Sequence, residues 1–510
     1  MNYPLQTADV LIVGSGIMGS GAAAQLRHAH PQLRIVMVDG GPVIGDVPGL
    51  HLHDSTDPVV WERYNQRVSS GVQGLYTGSA TSGGEPAASL AALEPGMHHL
   101  AAIGERADAM PAAAAAWNVG GMGIHWTAAT PWPWGSERFD ADDARWMADL
   151  ARARALLRVT PSALGPTGPG QVVLDVLSAR FSDLPYGREP QPMPMAVQRT
   201  ADTGPLPRTG PSEIFPPIAI GGDENFSLLP GTLAVALLHD GSRVAGARVR
   251  DVATGVDREI TASVTIVCAD AHRTPQLLFA SGIRPPALGR YLNEHAFVTG
   301  RVLMDLARFG LTLDVLPRVR AGEFATDSLW LPQAGARQPF HGQIMNTVFV
   351  DDRDAALAYS VGISLYVPIE SRAENRIVFD EQETDVAGLP RMSLEFGYSE
   401  SDLALIERAR SSLLEIAEDF GPFDPMTESA LLPPGSSLHQ TGTVRSGAVD
   451  DGESVCDPTG RVWGFDNLFV AGNGVVPTPL ACNSTLTGMI TTVRAARAAA
   501  DVFATIERTH

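Results

Sequence analysis

From Asp9 to Asp39 the chain is laid out as strand, glycine turn, helix and second strand, and no other stretch constrains the fold as strongly. Val10-Leu11-Ile12-Val13, opened by Asp9, is an apolar run of the kind found in a parallel strand covered on both faces. Gly14-Ser15-Gly16-Ile17-Met18-Gly19 follows at once, Ser20–Ala29 reads as a helix, and Leu33–Val38 reads as the next strand. Asp39 stands 20 residues after the third glycine. In a strand–turn–helix context this spacing has a mechanism. Gly14 permits the tight turn, Gly16 lets the backbone approach a pyrophosphate, and Gly19 lets the helix pack close to the strand. The helix N-terminus stabilises phosphate charge, and the Asp39 carboxylate suits a ribose hydroxyl pair. Ile17, Met18 and Gly40 belong to the same cofactor-binding turns. The fingerprint itself does not separate FAD from NAD.

A single dinucleotide is expected. The nearest second candidate, Gly120-Gly121-Met122-Gly123, has no strand predicted before it, and Trp126 stands where a third glycine is needed. The stretch Trp117–Pro131 has two glycines, small residues and a His125-Trp126 pair, which suits a backbone that touches something flat. His125 reads equally as a cofactor contact and as a buried histidine satisfied by a carbonyl.

At 510 residues the chain allows two to four domains or one large unit. A formal net charge of −20 disfavours nucleic acid and anionic membrane surfaces as partners. Cys268, Cys456 and Cys482 have no CxxC or Cys/His spacing, so neither a disulfide framework nor a metal site is expected. His51, His53, His98 and His99 read as solvated loop histidines. The N-terminus has no basic segment or long apolar run, and no window reaches the length of a membrane span. A soluble, cytoplasmic protein is expected.

Residues 140–160 follow a helical pattern, with Ala144, Met147, Leu150, Ala151 and Leu157 on or near one face. Residues 161–225 are rich in Pro and Gly and predict little regular structure. His239-Asp240-Gly241-Ser242 predicts a hairpin turn between Leu233–Leu238 and Val244–Val252, with Thr261–Val267 as a further strand and Thr274–Ala280 as a helix. Ala296–Leu303, Gly342–Phe349, Ala358–Val367, Ile377–Phe379 and Met392–Phe396 predict one antiparallel sheet, followed by a helix over 400–420. Near the end, Asn467-Leu468-Phe469-Val470-Ala471-Gly472-Asn473-Gly474 runs through a Pro-broken loop to Asn483-Ser484-Thr485-Leu486-Thr487. A short strand ends in small residues, and a polar residue then opens a helix that reaches Phe503.

These features together resemble the glucose–methanol–choline flavin oxidoreductases, and within them pyranose oxidases and bacterial oxidases of sugar glycosides. The resemblance spans nearly the whole chain. It rests on Gly14–Gly19, Gly120–Thr127, Leu288-Gly289-Arg290-Tyr291-Leu292-Asn293-Glu294-His295, His439-Gln440-Thr441-Gly442-Thr443 and Arg461–Thr487. It implies an α/β fold: a Rossmann-like FAD-binding domain (1–50, 110–135, 225–295 and 455–510) joined to a substrate domain built on an antiparallel sheet (136–224 and 296–454). Residues 51–109 would form a lid or oligomer-contact insert. His439 matches the active-site histidine and Asn483 its partner. Gly472, Asn473, Gly474, Ser484 and Thr485 fall around the flavin, Ala269 at the second nucleotide-domain turn, and Thr127 near the reacting centre. Gly120, Gly121, Met122, His125, Trp126, Ala128 and Val235 complete the implied cofactor set. Thr127, Gln343, His439 and Asn483 form the implied substrate set. Many pyranose oxidases carry Ser-Thr-His-Trp with covalent flavin on its His. This chain has Ile124 in place of that Thr, and covalent and non-covalent FAD both stay open at His125. No oligomeric state is implied.

The implied chemistry is oxidation of a secondary sugar hydroxyl, with His439 as base and Asn483 holding the oxygen as charge develops. Dioxygen or a quinone-type acceptor would take the electrons. Oxidation at C3 of a glycoside is favoured. The alternatives are C2 oxidation of free glucose, oxidation of a non-sugar alcohol, and an FAD-containing lyase without redox turnover.

Overall fold

The structure, a computed structural model, describes residues 7–69, 87–198, 206–320, 323 and 325–509. Part of the 51–109 insert, residues 70–86, lies outside the described residues.

The first sheet is built around Thr7–Val13, where Val10, Leu11 and Ile12 are fully buried, as an unbroken apolar run requires. This strand runs parallel to Ile35–Val38 on one side and to Asp257–Val267 on the other. Phe226–Leu229 extends the first side, and Leu468–Val470 pairs with the end of Asp257–Val267. The 11-residue strand Asp257–Val267 has two roles. Its end joins the parallel sheet, and its start pairs antiparallel with Arg243–Asp251, which returns to Thr232–Asp240 through the expected hairpin. Helix Ile17–Ala29 lies against the C-terminal helix Ser484–Thr509. Small residues let the two approach: a Cβ on Gly21 would meet Met489 Sδ at 2.5 Å.

The second sheet is antiparallel, in the order Ser429–Leu431, His295–Leu303, Ala356–Pro368, His341–Val350, Asp327–Leu331 and Gln191–Pro192. Its core is closed by helices Glu400–Glu418 and Gly168–Arg180, through Ile406, Leu413 and Ile416 from one and Val173 and Leu177 from the other.

Several expectations need correction. Ile377–Phe379 and Met392–Phe396 do not join this sheet. They lie in a separate two-stranded pair, Arg376–Thr384 with Pro390–Glu395, because Ile377, Met392 and Leu394 bury against Leu100, Ile103 and Met110. The Pro/Gly-rich region contains the 13-residue helix Gly168–Arg180, whose proline sits in the first turn, where no backbone donor is needed. A strand does precede Gly120: Ala114–Trp117 pairs with Gly96–His99, but a 3-10 turn, Gly121–Ile124, follows in place of an α-helix. In helix Asp143–Leu156 the buried face is Trp146, Asp149, Leu150, Ala153 and Leu156, while Met147 is exposed. Asp149 turns inward because it accepts from Arg494 and Arg497 of the C-terminal helix.

His51 and His53 are buried, not solvated. His51 Nε2 lies 2.9 Å from Trp126 O, and His53 is held between Asp54 and Glu323 at 2.7 and 3.0 Å. Tyr64 packs on both rings. His98 and His99 are half-buried in the strand Gly96–His99. The three cysteines are buried and unbonded to each other. Among the described residues, no helix is long and apolar enough to cross a membrane.

Candidate active site

A cavity of about 1250 Å³ lies between the two sheets. That exceeds the range of about 300–1,000 Å³ usual for one small ligand and suits a dinucleotide together with a substrate. Gly14, Gly16, Ile17, Met18, Asp39 and Gly40 line one part; His439, Asn483, Gln343 and Tyr366 line another.

The nucleotide end is tied together by a residue the fingerprint reading passed over. Ser15 Oγ donates to Asp39 Oδ2 at 2.6 Å and accepts from Gly120 N at 2.8 Å. Ser15 N also donates to Asp39 Oδ2, and Gly41 N donates to Asp39 Oδ1. One serine therefore joins the glycine turn, the acid and the second glycine stretch. Burial raises the Asp39 carboxyl above its ordinary pKa, and these donors oppose the rise. The glycines fit their expected tasks. Gly14 has φ +101°, and a Cβ on Gly19 would lie 1.9 Å from Gly14 O. A Cβ on Gly16 would meet nothing nearer than Gly120 O at 3.7 Å, so the backbone there is open to a bulky ligand.

Across the cavity, Met122, His125, Trp126, Thr127, Ala269, Gly472, Asn473 and Thr485 also line the wall. Asn473 Nδ2 donates to Ser484 Oγ at 2.9 Å, while its buried Oδ1 has no partner among the described residues and is suited to a ligand. Gly121 is on the wall, but Gly19, Gly120, Ala128, Val235 and Ser484 are not. Gly19 and Gly120 support the turns, Ser484 supports Asn473, Ala128 is core, and Val235 packs against Ala387 and Leu389. These residues fit FAD as a group that spans both sheets.

His125 is buried, and its Nε2 lies 2.9 Å from Asn118 Oδ1. The Asn118 amide is fixed in orientation, because its Nδ2 donates to Val119 O and Gly121 O at 3.0 and 3.1 Å. Carbonyl oxygens only accept, so Oδ1 must face the histidine, and His125 Nε2 carries a proton.

At the other end, His439 sits in a loop after Leu438, whose φ of +58° is costly for a leucine. That bend directs the imidazole toward Asn483, with Nε2 3.2 Å from Asn483 Nδ2. Asn483 stands just before helix Ser484–Thr509, and the loop leading to it is pinned by Glu137, whose Oε1 accepts from Ala481 N and Cys482 N. His439 Nδ1 lies 3.1 Å from His295 Nδ1. Tyr366 pairs across strands with both Phe297 and His341, and its ring, stacked on Phe297, lies near His439. Burial, and secondarily the neighbouring His295 and His341, hold His439 well below its ordinary pKa, so its imidazole is neutral. Thr127 and Gln343 face the same space. The sequence reading gave no role to Ser15, Asn118, His295, His341 or Tyr366. His295 did lie in a quoted motif, and that was the only signal for it.

Comparison with known proteins agrees with this architecture. Sequence models of GMC oxidoreductases match residues 221–297 and 371–492. A protein named C-glycoside 3-oxidase from Microbacterium trichothecenolyticum is 39% identical over 98% of this chain and 97% of its own length. One of the same name from Arthrobacter globiformis is 36% identical, over 98% and 96%. A pyranose 2-oxidase of Emericella nidulans is 27% identical, over 97% and 92%. Among solved structures, formate oxidase of Aspergillus oryzae RIB40 superposes with a TM-score of 0.64 at 14% identity, covering 99% of each chain. Pyridoxine 4-oxidase of Mesorbium loti gives 0.59 at 17% identity, over 96% and 98%. At such identities the solved structures speak for the fold alone.

Proposed function

The chain belongs to the GMC oxidoreductase family, and from that premise we propose that it oxidises a secondary hydroxyl of a sugar glycoside, at C3, to a ketone. The family implies FAD as the cofactor, and the cavity walls fit it. The observation that carries the reading is the His439–Asn483 pair, 3.2 Å apart, at the far end of a cavity that begins at the glycine turn.

Loss of two hydrogens from an alcohol needs a proton acceptor at oxygen and a hydride acceptor at carbon. His439 Nε2 takes the hydroxyl proton, since a neutral imidazole is a competent base near neutral pH. Asn483 Nδ2 donates to the same oxygen and stabilises it as negative charge builds up. Thr127 and Gln343 are placed to meet other ring hydroxyls. When bound, FAD supplies the oxidant that accepts hydrogen from carbon with its electron pair. Dioxygen or a quinone-type acceptor then restores the oxidised enzyme. The His125 Nε2 proton directed at Asn118 supports a flavin held without a bond to that nitrogen.

Two relatives named for C3 oxidation of C-glycosides stand at 39% and 36% identity, against 27% for the pyranose 2-oxidase. That ordering supports glycosides over free glucose. Anaerobic bleaching of the flavin absorbance by glucose, O-glycosides and C-glycosides, with NMR of each product, tests the reading. Bleaching by free glucose alone, with a 2-keto product, overturns the regiochemistry. Absence of bleaching by any sugar overturns the reaction.

A further inference from the structure

The hydrogen bonds of the His439 imidazole have a polarity set by groups of fixed role on both sides of the ring. On one side, His295 Nε2 lies 2.8 Å from Leu480 O. A carbonyl only accepts, so His295 Nε2 carries the proton. Burial holds His295 down to about 4, so it is neutral and its Nδ1 is an acceptor. The 3.1 Å contact between the two Nδ1 atoms therefore requires that His439 Nδ1 be the donor. A neutral His439 then has its lone pair on Nε2.

Asn483 gives the same answer independently. Its Nδ2 lies 3.2 Å from His439 Nε2. An amide nitrogen only donates, so His439 Nε2 must again be the acceptor.

We propose that His295, which does not line the cavity, is a positioning residue that holds His439 as its Nδ1–H tautomer with the basic Nε2 facing the substrate hydroxyl. The polarity also opposes idle protonation. A proton on Nε2 in the absence of substrate would face the Asn483 N–H, donor against donor. A substrate hydroxyl between the two removes the conflict, because its oxygen accepts from Asn483 while its proton goes to His439. Among the described residues no carboxylate is hydrogen-bonded to the His439 or His295 imidazole. The Glu294 carboxyl beside them accepts from His295 N and Gln440 Nε2 and is pushed up to about 8 by burial. Orientation here comes from neutral groups alone.

The inference rests on His439 being the base, and its test separates the two ideas. In the [15N]histidine-labelled holoenzyme, assigned by comparison with His439→Ala, we expect a protonated Nδ1 and an unprotonated Nε2 for His439. A protonated Nε2 overturns the proposal, whatever the kinetics. His295→Leu removes the Nδ1 acceptor and is expected to slow anaerobic flavin reduction by roughly 100-fold, as misplaced catalytic groups do, with little change in KM. His295→Gln offers an acceptor to His439 and a donor to Leu480 O, and is expected to restore most of the rate and the tautomer. A Gln variant that folds, binds FAD and is as slow as the Leu variant overturns the proposal. If the Leu variant does not fold, the Gln variant's rate and spectrum decide alone. Full activity of His439→Ala would overturn the functional reading while leaving the tautomer standing.

Discussion

Asn483 Nδ2 lies 3.2 Å from His439 Nε2, although 44 residues separate the two in the chain. With no other proton acceptor on this cavity wall assigned to the reaction, replacing His439 with Ala should lower the rate of anaerobic flavin reduction by about 10²- to 10⁴-fold. Asn483→Ala should cost about 10²- to 10³-fold, the scale for a lost oxyanion donor. Both proteins should keep FAD. Stopped-flow reduction and flavin absorbance measure the two effects separately. Loss of FAD from the Asn483 variant at an unchanged rate per bound flavin would make that residue structural.

Ser15 joins Asp39 and the Gly120 turn from a fully buried position. Ser15→Ala leaves Gly120 N without its partner, which costs about 1–3 kcal/mol. If that cost falls on the cofactor-bound form, the FAD Kd should rise roughly 5- to 150-fold. Fluorescence titration of apoprotein with FAD measures it, and an unchanged Kd would show that the turn reorganises without the serine.

His125 presents a protonated Nε2 to Asn118. Acid precipitation of the holoenzyme should therefore leave the yellow flavin in the supernatant. Flavin fluorescence that stays with the denatured protein would contradict this assignment.

Glu294 is buried, and its carboxyl is raised from 4.5 to about 8, chiefly by loss of hydration. Its folded-state pKa exceeds the unfolded one, so its contribution is fully present below about pH 4.5 and is lost as the pH rises toward 8. The melting temperature should decline across that window, and the decline should be shallower in Glu294→Gln. Parallel melting curves of the two proteins against pH would refute the assignment.

The first sheet was readable because its signals are local. A buried strand, a glycine turn and a helix are encoded in consecutive residues, and so were the 232–267 meander and the long C-terminal helix. The misreadings have a common physical origin. Gly168–Arg180 was hidden by the glycines and prolines around its first turn, which a helix start tolerates. The hairpin Arg376–Thr384 with Pro390–Glu395 has ordinary strand periodicity, and only the apolar face at Leu100 and Met110 decides which layer it covers. His51 and His53 looked solvated because their partners, Trp126 O and Glu323, are far away in the chain.

By itself, the sequence determined the nucleotide-binding turn, the acid at Asp39, the strand-rich second half and, through motif resemblance, the positions of His439 and Asn483. Only the tertiary structure decided what surrounds them. Asn483, His439, His295 and Leu480 come from two loops and the start of one strand, and meet only when the antiparallel sheet meets the loop before the last helix. Hydrogen-bond polarity depends on which donor faces which acceptor across these contacts. That is a property of three-dimensional neighbours, and no periodicity along the chain encodes it.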